Sequence, residues 1–134
     1  MSANKTRLRF DRVEIRQESP DLCAVDVTFT FSGRQLSATA TRNNAGNGPL
    51  MAAATATIQA IEQAVNGRFT CVLEDLDRVN ALGKDLIAVL VDVNFDGRQF
   101  QLFGSCQITG DEIGASVKAT LNATNRFVEL ATRG

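Results

Sequence analysis

The stretch Phe31-Ser32-Gly33-Arg34-Gln35 returns later in the chain as Phe95-Asp96-Gly97-Arg98-Gln99. Two further pairs of segments match in the same order, one pair on either side: Asp11-Arg12-Val13 with Asp77-Arg78-Val79, and Ala56-Thr57-Ile58-Gln59-Ala60 with Ala119-Thr120-Leu121-Asn122-Ala123. The offset drifts only from 66 to 64 to 63 residues along the chain, which is typical of an internal repeat. We therefore predict one domain, residues 1–134, that contains two copies of one unit, residues 5–66 and 68–132.

The repeated stretch lies at the turn of a predicted β-hairpin in each copy. Apolar side chains alternate with polar ones before the turn, at Val25, Val27, Phe29 and Phe31 in the first copy and at Ile87, Val89, Val91, Val93 and Phe95 in the second. Alternation with period two predicts a strand with one buried face. Ser32-Gly33 and Asp96-Gly97 are typical hairpin turns. In the second copy we expect Phe100 and Leu102 to face the core on the return strand.

Each predicted unit begins with a less regular strand, near Leu8–Ile15 and near Phe69–Leu76, and ends with a helix. The helices carry apolar stripes with the spacing i, i+4, i+8, i+11, i+15, at Leu50, Ala54, Ile58, Ile61 and Val65 and at Ile113, Val117, Leu121, Thr124 and Val128. Asn66-Gly67 is a typical helix end. The predicted fold is therefore α+β, with two tandem β-β-β-α units related by an internal pseudo-twofold. Such units can bury their remaining apolar surface against each other or against a second chain.

The composition is that of a globular protein and argues against several classes of function. The 14 basic and 15 acidic residues give a net charge of −1 with no basic block, so we expect no nucleic-acid partner and no membrane partner. The N-terminus has no signal-peptide core, and three cysteines without metal-ligand spacing are typical of free thiols in the cytoplasm. The chain has no histidine, tyrosine or tryptophan. We therefore predict a cytoplasmic protein that is not an enzyme, with no catalytic residues, no cofactor and no metal.

The glycine-rich segment Gly46-Asn47-Gly48-Pro49 precedes the first helix and is open to two interpretations. Backbone N–H groups at a helix start, next to glycines that allow close approach, can bind a carboxylate. Alternatively, Asn47 or Gly48 serves only as the helix cap, with Pro49 at the favoured first position. The segment alone favours the role of a helix cap over that of a ligand site.

Three features of the second unit have structural explanations. Asp111 or Thr109 can cap the second helix. Cys106 lies near that helix start, but we expect it to be structural because no histidine is available as a base. The run Glu74-Asp75-Leu76-Asp77 is expected on a solvated face rather than at a metal, because strand alternation would split its carboxylates between two faces.

The two segments that lead into the helices resemble the C-terminal regulatory domain of 2-isopropylmalate synthase, a domain that citramalate synthases share. The residues that carry this resemblance are Gly46-Asn47-Gly48-Pro49-Leu50 with Ala52, and Asp111, Ile113, Ala115-Ser116, Ala119, Leu121, Asn122 and Asn125-Arg126. The resemblance covers essentially the whole chain and implies the same pair of β-β-β-α units. It also implies a domain that dimerises, binds leucine or isoleucine near the unit interfaces, and thereby inhibits a TIM-barrel catalytic domain.

The resemblance implies a set of ligand-binding residues when the family's positions are carried over. These are Asn47, Gly48, Leu50, Met51, Val72, Asp75, Val79 and Ile108. Amides at a helix end would bind the ligand carboxylate, and aliphatic walls would enclose a branched side chain.

We expect no catalytic barrel in a chain of this length, and two hypotheses for the function follow. In the first, the chain is a stand-alone regulatory module that binds a small branched-chain amino acid or related carboxylate, dimerises, and acts on a partner synthase. In the second, it is a non-catalytic structural protein that assembles into a homodimer or larger homo-oligomer and has a vestigial pocket. An enzyme is the third class, which the absence of a nucleophile–base pair argues against.

Overall fold

The computed structural model describes residues 8–132 and contains two successive units of three strands and one helix. The elements are β1 (Arg9–Gln17), β2 (Leu22–Phe31), β3 (Arg34–Asn43), α1 (Gly48–Ala64), β4 (Phe69–Ala81), β5 (Lys84–Phe95), β6 (Arg98–Gln107) and α2 (Glu112–Thr132). This order confirms the predicted α+β fold with two β-β-β-α units. Residues 5–7 of the predicted first unit lie outside the described part of the chain.

Each unit forms its own antiparallel sheet, with the strand orders β1-β2-β3 and β4-β5-β6. The predicted alternation is confirmed, since Val25, Val27 and Phe29 on β2 are fully buried, as are Ile87, Val91 and Val93 on β5. These side chains face the helices, and we call this side of each sheet its helix face. The opposite side is called its outer face. Phe100 and Leu102 also lie on the helix face, where the Phe100 ring lies 5.0 Å from that of Phe127.

The opening strands are longer than the alternation pattern predicts, and the difference is largest for β4. The predicted strand near Phe69–Leu76 continues to Ala81, where it pairs with Lys84 across a two-residue turn. A register shift between Leu73 and Asp75 interrupts the pairing with β5. Such a β-bulge breaks the period-two pattern. The second half of the strand therefore cannot be predicted from the alternation of apolar and polar residues.

Both helices are buried over more than the single predicted stripe. Fully buried residues outside the stripes include Ala52, Ala53, Ala56 and Ala60 of α1 and Ser116 and Thr120 of α2. Each helix packs on its own sheet and also on the other helix, and the Ser116 hydroxyl donates a hydrogen bond to the Leu50 carbonyl oxygen at 2.7 Å. The small side chains allow the two helices this close approach. No helix within residues 8–132 is long and apolar enough to cross a membrane.

Contacts between the units are reciprocal, as a pseudo-twofold requires. The helix α1 contacts β4 of the second unit, and α2 contacts β1 of the first unit. Matching hydrogen bonds also occur at an offset of 64 residues: the Asn44 N–H donates to the Asp21 carbonyl, and the Ile108 N–H donates to the Asp85 carbonyl, both at 2.8 Å. The two halves therefore repeat in three dimensions as well as in sequence.

The strand pairing corrects one of the three sequence matches. The offset of 64 relates Cys23 of β2 to Ile87 of β5, and Ile87 pairs with Arg78. Cys23 pairs with Gln17 rather than with Arg12, so Gln17 is the structural equivalent of Arg78. The Asp-Arg-Val match between the two opening strands was therefore wrong as a structural equivalence, because it relates residues 66 apart, whereas Gln17 and Arg78 are 61 apart. A displacement by an odd number of residues reverses the face, so Arg12 lies on the outer face and Arg78 on the helix face.

The helix ends follow the predicted capping residues. Asn47 is the N-cap of α1 but makes no side-chain cap hydrogen bond. Of the two candidates for α2, Asp111 is the cap, since its carboxylate accepts a hydrogen bond from the Ile113 N–H at 3.0 Å. Asn66 and Gly67 have positive φ angles of 54° and 71° directly after α1, which confirms the predicted helix end.

Gly104 of β6 is expected to be indispensable for the packing of α2 on its sheet. A Cβ atom at this position would lie 2.1 Å from the Ala119 carbonyl oxygen and 2.6 Å from the Ala123 backbone nitrogen. Because backbone atoms cannot give way as a flexible side chain can, Gly104→Ala should destabilise the protein by about 3 kcal/mol and lower Tm by about 10 °C. Thermal unfolding by circular dichroism measures this effect.

Gly114→Ala is the matched control, because a Cβ at Gly114 meets only the carboxylate end of the Asp111 side chain, at 3.0 Å. Alanine also has the higher helix propensity. Its Tm should therefore stay close to that of the wild type. A Gly104→Ala protein as stable as Gly114→Ala would contradict the proposed packing.

Candidate functional site

Arg78 of β4 connects the starts of the two helices. Its guanidinium donates to both carboxylate oxygens of Glu112, the first residue of α2, with the Nη2–Oε1 distance at 3.1 Å. Its Nη1 donates to the side-chain oxygen of Asn47, the N-cap of α1, at 2.7 Å. The Asn47 amide also donates to the Leu76 carbonyl oxygen at 3.4 Å. One side chain of the second unit thus binds a residue of each unit at the junction between them.

A cavity of about 470 Å³ adjoins this junction, within the size range of small-molecule sites. It is lined by Arg78, Val79, Asn80, Asp85, Ile108 and Glu112. The lining combines one cation, two carboxylates, one amide and two aliphatic side chains. The Asn80 amide donates to the Asp85 carboxylate at 2.9 Å, which fixes the polar side of the cavity.

The ion pair between Arg78 and Glu112 shifts the pKa values of both groups. The hydrogen bonds from Arg78 lower the pKa of the Glu112 carboxyl below its ordinary value, and the positive charge of Arg78 adds to this effect. The same hydrogen bonds raise the pKa of Arg78. Glu112 is also an acidic residue in the first turn of a helix, where the helix dipole favours a negative charge. Both groups are therefore charged at neutral pH.

The bulge in β4 determines the position of Arg78. Beyond the register shift at Leu73 and Asp75, Arg78 pairs with the fully buried Ile87 and therefore lies on the helix face. The first unit has no equivalent of this site. At the structurally equivalent positions, Arg78, Val79, Ile108 and Glu112 are replaced by Gln17, Glu18, Asn44 and Gly48. The part of the chain that the structure describes thus contains one such site.

Three of the eight predicted ligand-binding residues lie together at this site. Val79 and Ile108 line the cavity, and Asn47 contacts Arg78. Sequence reasoning missed Arg78 and Glu112, which lie beside predicted positions. What distinguishes them in the sequence is that the equivalent positions of the first unit, Gln17 and Gly48, are uncharged. These equivalent positions are known only from the strand pairing, so the sequence alone could not identify them.

The other five predicted residues lie elsewhere. Leu50 is buried in the core, and Met51 packs against the core from a partly buried position. Gly48 has a packing role, because a Cβ there would lie 1.6 Å from the Asn43 carbonyl oxygen. Its N–H donates to the Ala45 carbonyl oxygen, and Pro49 has no N–H, so the start of α1 offers few amides to a ligand. Val72 and Asp75 are exposed on β4, away from the lining of the 470 Å³ cavity.

The acidic run of β4 lies on a surface, but its carboxylates are not split as the alternation predicts. The bulge brings Asp75 and Asp77 to the outer face. The Glu74 carboxyl hydrogen-bonds to Asp92, and this bond together with the charges of Asp92 and Asp75 raises the pKa of Glu74. Within residues 8–132, no group of three or more acidic or cysteine side chains is arranged to hold a metal.

The three cysteines are free thiols. Burial raises the pKa of Cys71 to about 12, with the Glu62 carboxylate adding to the effect, so this thiol stays protonated and unreactive at neutral pH. Glu62 accepts a hydrogen bond from the Cys71 N–H at 3.0 Å. Cys106 is partly buried, and its thiol lies 3.4 Å from the Gln107 carbonyl oxygen.

Comparison with protein families identifies the class of this domain. The family model of the LeuA allosteric (dimerisation) domain matches residues 1–128, and the chain therefore belongs to this family. The match agrees with the two β-β-β-α units and with the predicted resemblance. It is a regulatory rather than a catalytic domain, and its dimerisation role implies a homodimer. No curated protein sequence matches the chain.

The ion pair predicts how the Glu112 carboxyl titrates. In the wild type it should titrate below 4.5, the ordinary value for Glu, because Arg78 stabilises the carboxylate. In Arg78→Met the pKa should return towards 4.5. The stability that the pair contributes is fully present above pH 4.5 and is lost as the pH falls through the lowered pKa. Carboxyl-detected NMR titration measures the pKa directly.

Arg12→Met provides the control, since Arg12 lies on the outer face of the first sheet with Glu14 as its ion-pair partner. The Arg12→Met variant loses one positive charge, as Arg78→Met does, but Arg12 does not contact Glu112. The pKa of Glu112 should stay low in this variant. An equal rise of the pKa in both variants would show that net charge, and not the contact with Arg78, causes the shift.

Proposed function

We propose that this chain binds a small branched-chain amino acid, or a related carboxylate, in the cavity beside Arg78 and Glu112. As a dimerisation domain of the LeuA type, it would regulate a partner enzyme in response to that ligand. The observation that carries the proposal is the combination of an ion pair and two aliphatic side chains around one cavity at the junction of the units.

The charges around the cavity suit a zwitterion. Glu112 and Asn47 accept three of the five N–H groups of Arg78, so two donors remain for a ligand carboxylate. The start of α2 adjoins the cavity as well, since Glu112 is its first residue, and its positive dipole end favours an anionic group. The carboxylates of Glu112 and Asp85 would bind an α-ammonium group.

The aliphatic part of the cavity suits a short branched side chain. Val79 lies on β4, Ile108 directly follows β6, and both line the same cavity. Burial of a branched aliphatic group against them contributes about 25 cal/mol per Å² of apolar surface. Charged ends therefore orient the ligand, and apolar contact selects its size.

The position of the site at the unit junction offers a route to regulation. Arg78 binds Asn47 of the first unit and Glu112 of the second. A ligand carboxylate that draws the guanidinium into the cavity would weaken these bonds and alter how the units are held together. A partner enzyme that contacts both units would respond to this change, since coupling requires two arrangements with different ligand affinity.

A second candidate is a self-assembling homo-oligomeric protein with a vestigial pocket. The observation that favours it is that Glu112 and Asn47 already engage three of the five N–H groups of Arg78, which leaves only part of the guanidinium for a ligand. In this case the cavity would bind no amino acid, and the domain would serve only for assembly.

Isothermal titration calorimetry with leucine, isoleucine, valine and the corresponding 2-keto acids separates the two candidates. We expect binding by the wild type, a loss of at least about tenfold in affinity for Arg78→Met, and unchanged affinity for the control Arg12→Met. The absence of heat and of a thermal shift at millimolar ligand would contradict the amino-acid proposal and favour the assembly candidate.

Glu112→Gln tests which end of the ligand each charge binds. Removal of the carboxylate should weaken leucine, which has an ammonium group, and should not weaken its 2-keto acid, which has none. The affinity for leucine relative to that for its 2-keto acid should therefore fall by about tenfold. An equal loss for both ligands would contradict the assignment of Glu112 to the ammonium group.

A further inference from the structure

The outer faces of the two sheets hold their charges differently although the units repeat. On the first sheet, Arg16 donates to Asp26 at 2.8 Å, and Thr30 donates to Asp11 at 2.6 Å. The second sheet carries four carboxylates on this side, those of Glu74, Asp75, Asp77 and Asp92. Within residues 8–132, none of the four forms an ion pair. The acidic charges of the second face are therefore not neutralised within its own sheet.

The basic side chains nearby do not offset these carboxylates. Lys84 lies beside the hairpin turn at one end of the face, and Arg78 lies on the helix face, where it binds the start of α2. The hydrogen bond between Glu74 and Asp92, together with the charges of Asp92 and Asp75, raises the pKa of Glu74. Carboxylates that disfavour each other's ionisation in this way repel when charged, so a cation supplied by another molecule would stabilise this face.

The same face exposes apolar surface beside its carboxylates. Phe103 has 78% of its surface exposed and pairs with the half-buried Leu90, and Val72 of β4 is 62% exposed. A hollow of about 160 Å³ lies beside the Phe103 ring, and Asp75 and Asp77 contribute to its lining. The face thus offers a recess for one apolar side chain next to two negative charges.

We propose that the outer face of the second sheet docks a segment of another protein in which an apolar side chain is flanked by lysine or arginine. The apolar side chain lies in the hollow against Phe103, and the flanking cations bind the carboxylates of Asp75 and Asp77. This docking site does not depend on the ligand proposed above, because none of the residues that line the hollow lines the Arg78 cavity.

Charge decides between the possible occupants of this face. A second copy of the same surface would bring carboxylates against carboxylates, and a nucleic acid or an anionic membrane would bring phosphates against them, so each would place like charges together. A neutral apolar segment would bury the carboxylates without a counter-charge, which is costly. A segment that supplies both an apolar side chain and flanking cations avoids both costs.

The apolar contact and the charges have different parts in this binding. Exposed ion pairs contribute little to affinity by themselves, so contact with Phe103 and the hollow provides most of it. The carboxylates select basic flanking residues and accelerate association, an effect that salt screens. Removal of either component should therefore weaken binding, whereas salt should act through the charges.

Phage display of a random-peptide library on the immobilised wild type provides the probe, and the selected peptides are then titrated by fluorescence anisotropy. We expect the selected sequences to share lysine or arginine on both sides of an aliphatic or aromatic residue. Phe103→Ser should raise the peptide Kd at least about tenfold by removing the apolar contact. Leu22→Ser is the matched control, since Leu22 is an exposed leucine on the outer face of the first sheet. Its peptide Kd should equal that of the wild type.

Asp75→Asn combined with Asp77→Asn tests the charges. Asparagine keeps the side-chain oxygens that accept backbone N–H groups at 2.8 Å, so the strand should stay intact while two charges are lost. We expect the peptide Kd to rise about tenfold and its dependence on salt to weaken. Glu14→Gln combined with Glu18→Gln is the matched control, because it removes two carboxylates from the first unit. Its peptide Kd should stay close to that of the wild type.

Selected peptides without basic residues, no selected peptide at all, or an unchanged Kd in Phe103→Ser would overturn the proposal, as would an equal rise of Kd in the two charge variants. A dimeric wild type that becomes monomeric in Phe103→Ser, measured by sedimentation velocity, would show that a second copy covers the face and would also overturn it. Circular dichroism verifies folding, and Val72→Ser on the same face replaces Phe103→Ser if that variant does not fold. Because Phe103 does not line the Arg78 cavity, calorimetry with leucine on Phe103→Ser separates failure of this surface from failure of the ligand site.

Discussion

The direct contact between α1 and α2 is the constraint on which the rest of the structure depends. A three-stranded sheet covers only one side of its helix, so a single unit would leave a broad apolar helix surface in water. Small residues such as Ala53 and Ser116 are fully buried, and the Ser116 hydroxyl bonds to the backbone of α1. This contact joins two modest units into one core, which includes buried residues of both sheets and both helices.

The same contact brings the two helix starts together and creates the site. Arg78 lies where Asn47 begins α1 and Glu112 begins α2, and it binds both. The free-energy cost of partly removing the Arg78 guanidinium from water is offset by its two hydrogen bonds to the Glu112 carboxylate and by its remaining exposure to solvent. Repetition alone would produce two such sites, but the first unit has Gln17 and Gly48 at the equivalent positions. The two units therefore share one fold, but only the second has the arginine and glutamate that form the ion pair.

Most of the fold is predictable from the sequence, whereas the centre of the site is not. Period-two patterns around Ser32-Gly33 and Asp96-Gly97 define the hairpins, since local sterics decide turns and one-sided burial decides alternation. Val79 and Ile108 were predicted as site residues through the family resemblance. Arg78 was not predicted, because the bulge between Leu73 and Asp75 decides which face of the sheet it lies on. Its hydrogen-bond partners also lie 31 and 34 residues away in the chain. Long-range register of this kind leaves no local pattern.

The most direct test of the central claim is an NMR titration of the wild type with leucine, which follows backbone amides and the Arg78 Nε–H resonance. If Arg78 is the ligand-binding centre at the unit junction, its Nε–H should shift most, together with the amides of Val79, Ile108 and Glu112, and all should saturate with one affinity. No shift at millimolar leucine, or shifts confined to residues remote from the Arg78 cavity, would contradict the account.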